Sequence, residues 1–298
     1  MVVTSPPPNG KEIDIMNNLQ FACADFTFPL LSHDKVLSLV SMLDCEGIDI
    51  GLFSGRSHIT AETEFPQINL RARLLKKKLE DLGLVASDVY LQLDTDLSLF
   101  AINHPEQTRR QYAREQFLKL IEYAVELGAD HITTLPGMYF KDIENNECLQ
   151  RAHEELQWRT AKVAGSGLSF GVEAHVGSPF ASPEDAAALI NAVPGLTLTL
   201  DYTHFIRNGY MQEEVDPLLA HASHFHARGA RKGQLQVSMT DNTIDYVTIT
   251  ENLKQLGYNG WIGLEYIWIN WEGCNQVDTL SETIRLRDII KAAYRRII

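Results

Sequence analysis

Cysteine is scarce. Four thiols stand in 298 residues, at Cys23, Cys45, Cys148 and Cys274, and no Cys-x-x-Cys pair is among them. That excludes a disulfide-stapled scaffold, and the expected setting is a reducing cytoplasm. Long apolar runs are missing too, so no membrane-spanning helix is expected. The opening MVVTSPPPNGKE has no basic segment followed by an apolar one, and residues 1–18 read as a flexible leader rather than an export signal. Positive charge is also in deficit, with 26 Lys and Arg against 39 Asp and Glu, a formal net charge of −13. Such a surface repels phosphate backbones and anionic lipids, so neither nucleic acid nor membrane is an expected partner. No strand is followed by Gly-x-Gly-x-x-Gly, which argues against a dinucleotide-binding open sheet.

What the chain does contain is alternation. Eight apolar runs can be marked: LQFACADFTF, GIDIGLF, VYLQLD, HITTLPG, LSFGVEAH, LTLTLDYTHF, HASHFHARG and WIGLEYIW. Between them lie segments of helical period with helical punctuation. INLRARLLKKKLEDLG stops at Gly83. SPEDAAALINAVPG starts with Ser182 as cap, Pro183 in the first turn and Glu184 and Asp185 beside it. VDPLLAH and ITENLKQLGYNG read as the sixth and seventh helices, and TLSETIRLRDIIKAAYRRI closes the chain. Strand–helix alternation implies parallel strands with crossover helices. Eight such units predict an α/β fold, a single (β/α)8 barrel over residues 19–298, near the roughly 250 residues usual for that architecture.

Such barrels carry their chemistry at the C-terminal ends of the strands. There the fifth strand offers Glu173 and His175, the sixth Asp201 and His204, the seventh His226 and Arg228, and the eighth Glu265. Earlier strands offer Asp25, Asp94, Arg56 and His58. Taken singly, each carboxylate is a helix cap or half of an ion pair. Taken together, three carboxylates converging on one mouth repel, and a divalent cation resolves the conflict. Carboxylate oxygens with one imidazole suit Mn²⁺ best, with Mg²⁺, Co²⁺ or Zn²⁺ as substitutes.

VEAH, LDYTH, HFHARG and GYNGWIGLEY, in this order, resemble the sugar-phosphate isomerase/epimerase group of xylose-isomerase-like TIM barrels. The resemblance implies Glu173, Asp201, His226 and Glu265 as metal ligands. It implies Glu173 and Glu265 as acid/base groups on opposite faces of the substrate, and His204 as a catalytic contact to substrate oxygens. His175, Arg228, Lys232 and Trp268 are the expected substrate-binding residues. The family's arginine six residues after the seventh-strand histidine is replaced here by Lys232. The apurinic endonucleases of the same superfamily need an Asp-x-His after that histidine, and VSMTDNTIDY has none.

A chelated carbonyl and neighbouring hydroxyl acidify the adjacent C–H, and a glutamate removes the proton. Reprotonation on the opposite face gives an epimer, and on the adjacent carbon an aldose–ketose exchange. Loss of a β leaving group instead makes the enzyme a lyase, an inosose dehydratase or a 3-keto-glycoside deglycosidase. The expected substrate is a non-phosphorylated sugar or keto-sugar. Phe26, Phe28, Tyr139, Phe140, Trp268 and Trp271 are candidate platforms for it. Relatives imply a possible homo- or hetero-oligomer, with residues 244–250 as a candidate contact. Asp201→Asn is expected to lose the metal, and His204→Ala to keep it.

Overall fold

A computed structural model describes residues 19–296; the expected leader at 1–18 lies outside them. Eight parallel strands close on themselves in chain order. They are β1 (Gln20–Ala24), β2 (Gly47–Phe53), β3 (Val85–Gln92), β4 (His131–Thr134), β5 (Ser169–Val172), β6 (Thr197–Asp201), β7 (Ala222–Ala227) and β8 (Trp261–Leu264). Closure is made by β1 pairing with β8, Gln20 to Trp261 through Cys23 to Leu264. The (β/α)8 barrel expected from the alternation is therefore the fold.

Outward-facing strand residues such as Cys23, Ile48, Val89 and Phe225 pack with the surrounding helices into one large apolar core. The inside of the barrel is polar by contrast. Asp49 Oδ1 accepts from Ser87 Oγ at 2.6 Å, and Asp49 Oδ2 lies 3.1 Å from His224 Nε2. One turn away, His131 bridges Asp88 Oδ1 and Ser223 Oγ, both at 2.7 Å. These buried groups satisfy one another in large part, with Asp88 Oδ2 and His224 Nδ1 left without a hydrogen-bond partner.

Helix starts follow local chemistry. Ser182 Oγ accepts from the Asp185 amide at 3.0 Å at the head of Pro183–Ala192, as its spacing predicts. Two expectations need correction. VDPLLAH is a 3-10 turn, Asp216–His221, preceded by the short helix Gln212–Val215. Residues 244–250 are less exposed than expected: Ile244, Tyr246, Ile249 and Thr250 are buried, and Asp245 is exposed. Asp245 accepts from the amides of Val247 and Thr248, which starts the helix Tyr246–Gln255 and turns those side chains inward.

Candidate active site

LTLTLDYTHF changes character at Asp201. That residue ends β6 and caps the helix Tyr202–Asn208, its Oδ1 accepting from the Thr203 amide at 2.8 Å and hydroxyl at 2.6 Å. The turn brings His204 back beside Asp201, with 3.5 Å between Nε2 and Oδ2. In a regular strand, positions three apart face opposite ways, so the early strand end is what joins them.

Glu173 and Glu265 each stand one residue beyond a strand, yet their amides still pair with the neighbouring chain, to Thr134 O at 3.2 Å and Ala227 O at 3.0 Å. Both side chains are thus held as if in the sheet, and both are buried. His226 lies between them, Nδ1 at 3.0 Å from Glu173 Oε1 and 3.7 Å from Glu265 Oε2. Donor atoms of these three residues all fall within 4.8 Å of one another. Tyr90 donates its hydroxyl to Glu173 Oε2 at 2.8 Å. Glu265 Oε2 is buried with no hydrogen-bond partner. An orphaned anionic oxygen beside an imidazole and a second carboxylate is a donor set that fits a divalent cation.

Asp201 is placed differently from the other three expected ligands. Its Oδ2 accepts from Arg228 Nη2 at 2.9 Å, and the same nitrogen is 3.5 Å from Glu265 Oε2. Asp201 shares no cluster of close donor atoms with Glu173, His226 and Glu265. Arg228, expected to meet substrate, instead joins two of the carboxylates while still facing the cavity.

Protonation follows from these contacts. Burial opposes charge on Glu173, but the hydrogen bond from His226 and the neighbouring imidazoles outweigh it and hold the carboxyl below its usual range. Burial pushes Glu265 up to about 7, against the pull of His226 and Arg228. For His226, Glu265 and Glu173 overcome burial and raise it to about 10. Burial, with His175 alongside, lowers His204 to about 3, so its ring is neutral at physiological pH.

A cavity of about 530 Å³ opens above these groups. Its wall includes Glu173, His175, His204, Arg228 and Glu265, with Phe26, Trp268 and Trp271 at the apolar side. Trp271 stacks on His175 with ring centroids 5.2 Å apart. Phe28, Tyr139 and Phe140 lie off this wall. So does Lys232, which is exposed and lies over Gly209. Two contributors escaped the sequence reading: Tyr90 and Asp49, whose Oδ2 is 3.7 Å from His226 Nε2. A charged residue inside the otherwise apolar GIDIGLF was the available signal for Asp49.

A closed parallel barrel with a buried carboxylate–imidazole cluster at the C-terminal mouth of its strands defines a barrel enzyme class. Residues 37–289 match the family model described as xylose isomerase-like TIM barrel, and the chain belongs to that family. A 2-oxo-tetronate isomerase of Pectobacterium atrosepticum is 24% identical over 173 residues, covering 53% of this chain and 62% of that protein. A D-tagatose 3-epimerase-like protein superposes with a TM-score of 0.74 at 16% identity, over 94% of this chain and 100% of the other. A xylose isomerase-like barrel from Mycobacterium smegmatis, in complex with magnesium, gives 0.70 at 15% identity over 93% and 98%. At these identities the two structures share the fold.

Proposed function

We propose that this chain is a divalent-metal-dependent sugar isomerase or epimerase, acting by proton abstraction α to a carbonyl through an enediolate. The observation that carries the reading is the Glu173–His226–Glu265 cluster with its orphaned oxygen, whose two glutamates line a sugar-sized cavity. Glu173, His226 and Glu265 would hold the cation, with Mn²⁺ the best match to the donors. Asp201 would join as a fourth ligand to the extent that it lets go of Arg228. Charge supports this assembly: three carboxylates at −3 are balanced by a divalent ion and Arg228 together. The cation supplies Lewis-acid stabilisation of the negative charge that develops on the carbonyl oxygen.

The side chains do the rest. Glu173, oriented by the Tyr90 hydroxyl, removes the α-proton, and Glu265 returns one from the opposite face. His204 and His175, neutral rings on the cavity wall, bind substrate hydroxyls. Trp268 and Trp271 cover the apolar face of the sugar and limit water. Arg228 holds Asp201 and Glu265 apart and keeps the site near neutrality. Four free, buried thiols support a cytoplasmic setting, and no helix among the described residues is long and apolar enough to cross a membrane.

The test is a substrate panel in D2O with the Mn²⁺-loaded chain, using ketohexoses, inososes and 3-keto glycosides with products identified by NMR. Deuterium beside the carbonyl, with an epimer or aldose as product, is the expected result. Loss of water or of an aglycone would reassign the chain to the lyases. Absence of exchange from every compound, with metal bound, would defeat both assignments.

A further inference from the structure

Arg56 stands apart among the cations of this protein. It follows β2 at the cavity mouth and lines the same wall as Glu173, Arg228 and Glu265. Arg228, the other cation on that wall, is committed to Asp201 and Glu265. The buried Arg159 is likewise paired, with Glu155 at 2.7 Å. Arg56 forms no such pair among the described residues: it donates to Gln92 Oε1 and lies over the Phe53 ring, 4.8 Å from its centroid. In a chain with 39 acidic residues, an arginine in a cavity held only by an amide oxygen and a ring keeps most of its five N–H donors for something else.

We propose that the substrate is a keto-sugar acid, and that Arg56 receives its carboxylate. This rests on the enolisation reading, and it narrows the substrate from sugars in general to polyhydroxy keto acids. A planar guanidinium matches a carboxylate through two parallel hydrogen bonds. Phe53 beneath the guanidinium fixes its plane and excludes water from one face. A phosphoryl group fits less well. One planar guanidinium pairs its two parallel donors with a carboxylate, and a phosphoryl group carries a third oxygen and a second charge that Arg56 alone does not meet.

D-Fructose and 2-keto-D-gluconate differ at C1 only, hydroxymethyl against carboxylate, and form a matched pair of probes. Their binding to the Mn²⁺-loaded chain, alongside D-fructose 6-phosphate, is measured by titration calorimetry. The wild-type chain is expected to bind the keto acid roughly tenfold or more tightly than D-fructose, the gain of a charge-assisted contact. In Arg56→Met the ratio falls to about one, whereas Arg56→Lys keeps a clear preference. Loss in the first with retention in the second reads the charge and not damage to the fold. A wild-type ratio near one, a ratio unchanged in Arg56→Met, or tightest binding by the phosphate would overturn the proposal. Exchange of the α-hydrogen in D2O is read in parallel. Exchange without charge preference removes the carboxylate site alone, and Arg56-dependent preference without exchange removes the enolisation alone.

Discussion

Arg228 Nη2 lies 2.9 Å from Asp201 Oδ2, a buried ion pair at the place where sequence reasoning expected a fourth metal ligand. The guanidinium projects from the residue two beyond His226, on the same face as that imidazole, so a strand-end arginine and a metal compete for one carboxylate.

Removing the arginine should therefore strengthen metal binding. Arg228→Met is expected to bind Mn²⁺ roughly tenfold more tightly, the scale on which groups around the ligands tune affinity. Without metal the same variant loses stability, by about 3 kcal/mol, because Asp201 is left buried and unpaired. Competition with a fluorescent chelator reads the first effect and urea unfolding the second. Unchanged or weaker metal affinity would show that Asp201 is not being withheld.

Asp201→Asn should then cost less metal affinity than Glu265→Gln. The difference arises because Glu265 Oε2 accepts no hydrogen bond and has only a 3.5 Å ion pair to Arg228, while both Asp201 oxygens accept hydrogen bonds. Equal losses in the two variants would restore Asp201 as a full ligand.

His204→Ala should leave metal affinity within about threefold and lower kcat/KM by roughly a hundredfold, as expected for a group that orients the reacting atoms. Its Nε2 is 3.8 Å from Glu173 Oε2 and faces the cavity; it groups with Glu173 and His175 and stands outside the Glu173–His226–Glu265 cluster. Joint loss of metal and turnover would make it a ligand.

The metal-free protein should become less stable as pH rises from about 7 to about 9, above the range in which the lowered His204, His175 and His131 push the other way. Glu265 moves from its ordinary 4.5 to about 7 and His226 from 6.5 to about 10. Both folded values are raised, so the folded chain binds protons more tightly than the unfolded one. That stability is complete below the unfolded values and is lost as pH climbs through the folded ones. Thermal melts with chelator should show Tm falling across this window, and Mn²⁺ should flatten the slope by displacing both protons. A Tm that rises with pH would contradict these environments.

Gly263→Ala probes the support beneath the site. A Cβ there would overlap Asp49 Oδ2 and come within 3.0 Å of His224 Nε2 and 3.1 Å of His226 Cδ2. Overpacking of this kind costs about 1–3 kcal/mol, and here it also displaces a proposed ligand. Melts and metal titration should fall together.

Much of this was legible in the chain. Alternation in GIDIGLF, VYLQLD and WIGLEYIW, with the cap at Ser182, located strands and helices, because burial on both faces of a parallel strand leaves a continuous apolar run. The Asp201-to-His204 spacing pointed to a strand that ends early, and Asp201 is its last residue. Partner choice was not legible. Nothing in HFHARG says that Arg228 turns toward Asp201 while Lys232 stays in solvent, since both follow the same strand and only packing separates them. Tyr90 was hidden for a related reason: an aromatic in a strand reads as core until its hydroxyl is found on Glu173. Residues 244–250 misled because polar Thr and Asp alternate with the apolar residues, and the cap at Asp245 decides which face is buried.

The most direct test of the central claim is calorimetric titration of Mn²⁺ into the chelator-treated wild-type chain and into Glu265→Gln. One ion per chain in the wild type, with affinity reduced roughly a hundredfold or more in the variant, is the predicted result. No binding to the wild type, or equal binding by both, would contradict a metal centre built on Glu173, His226 and Glu265.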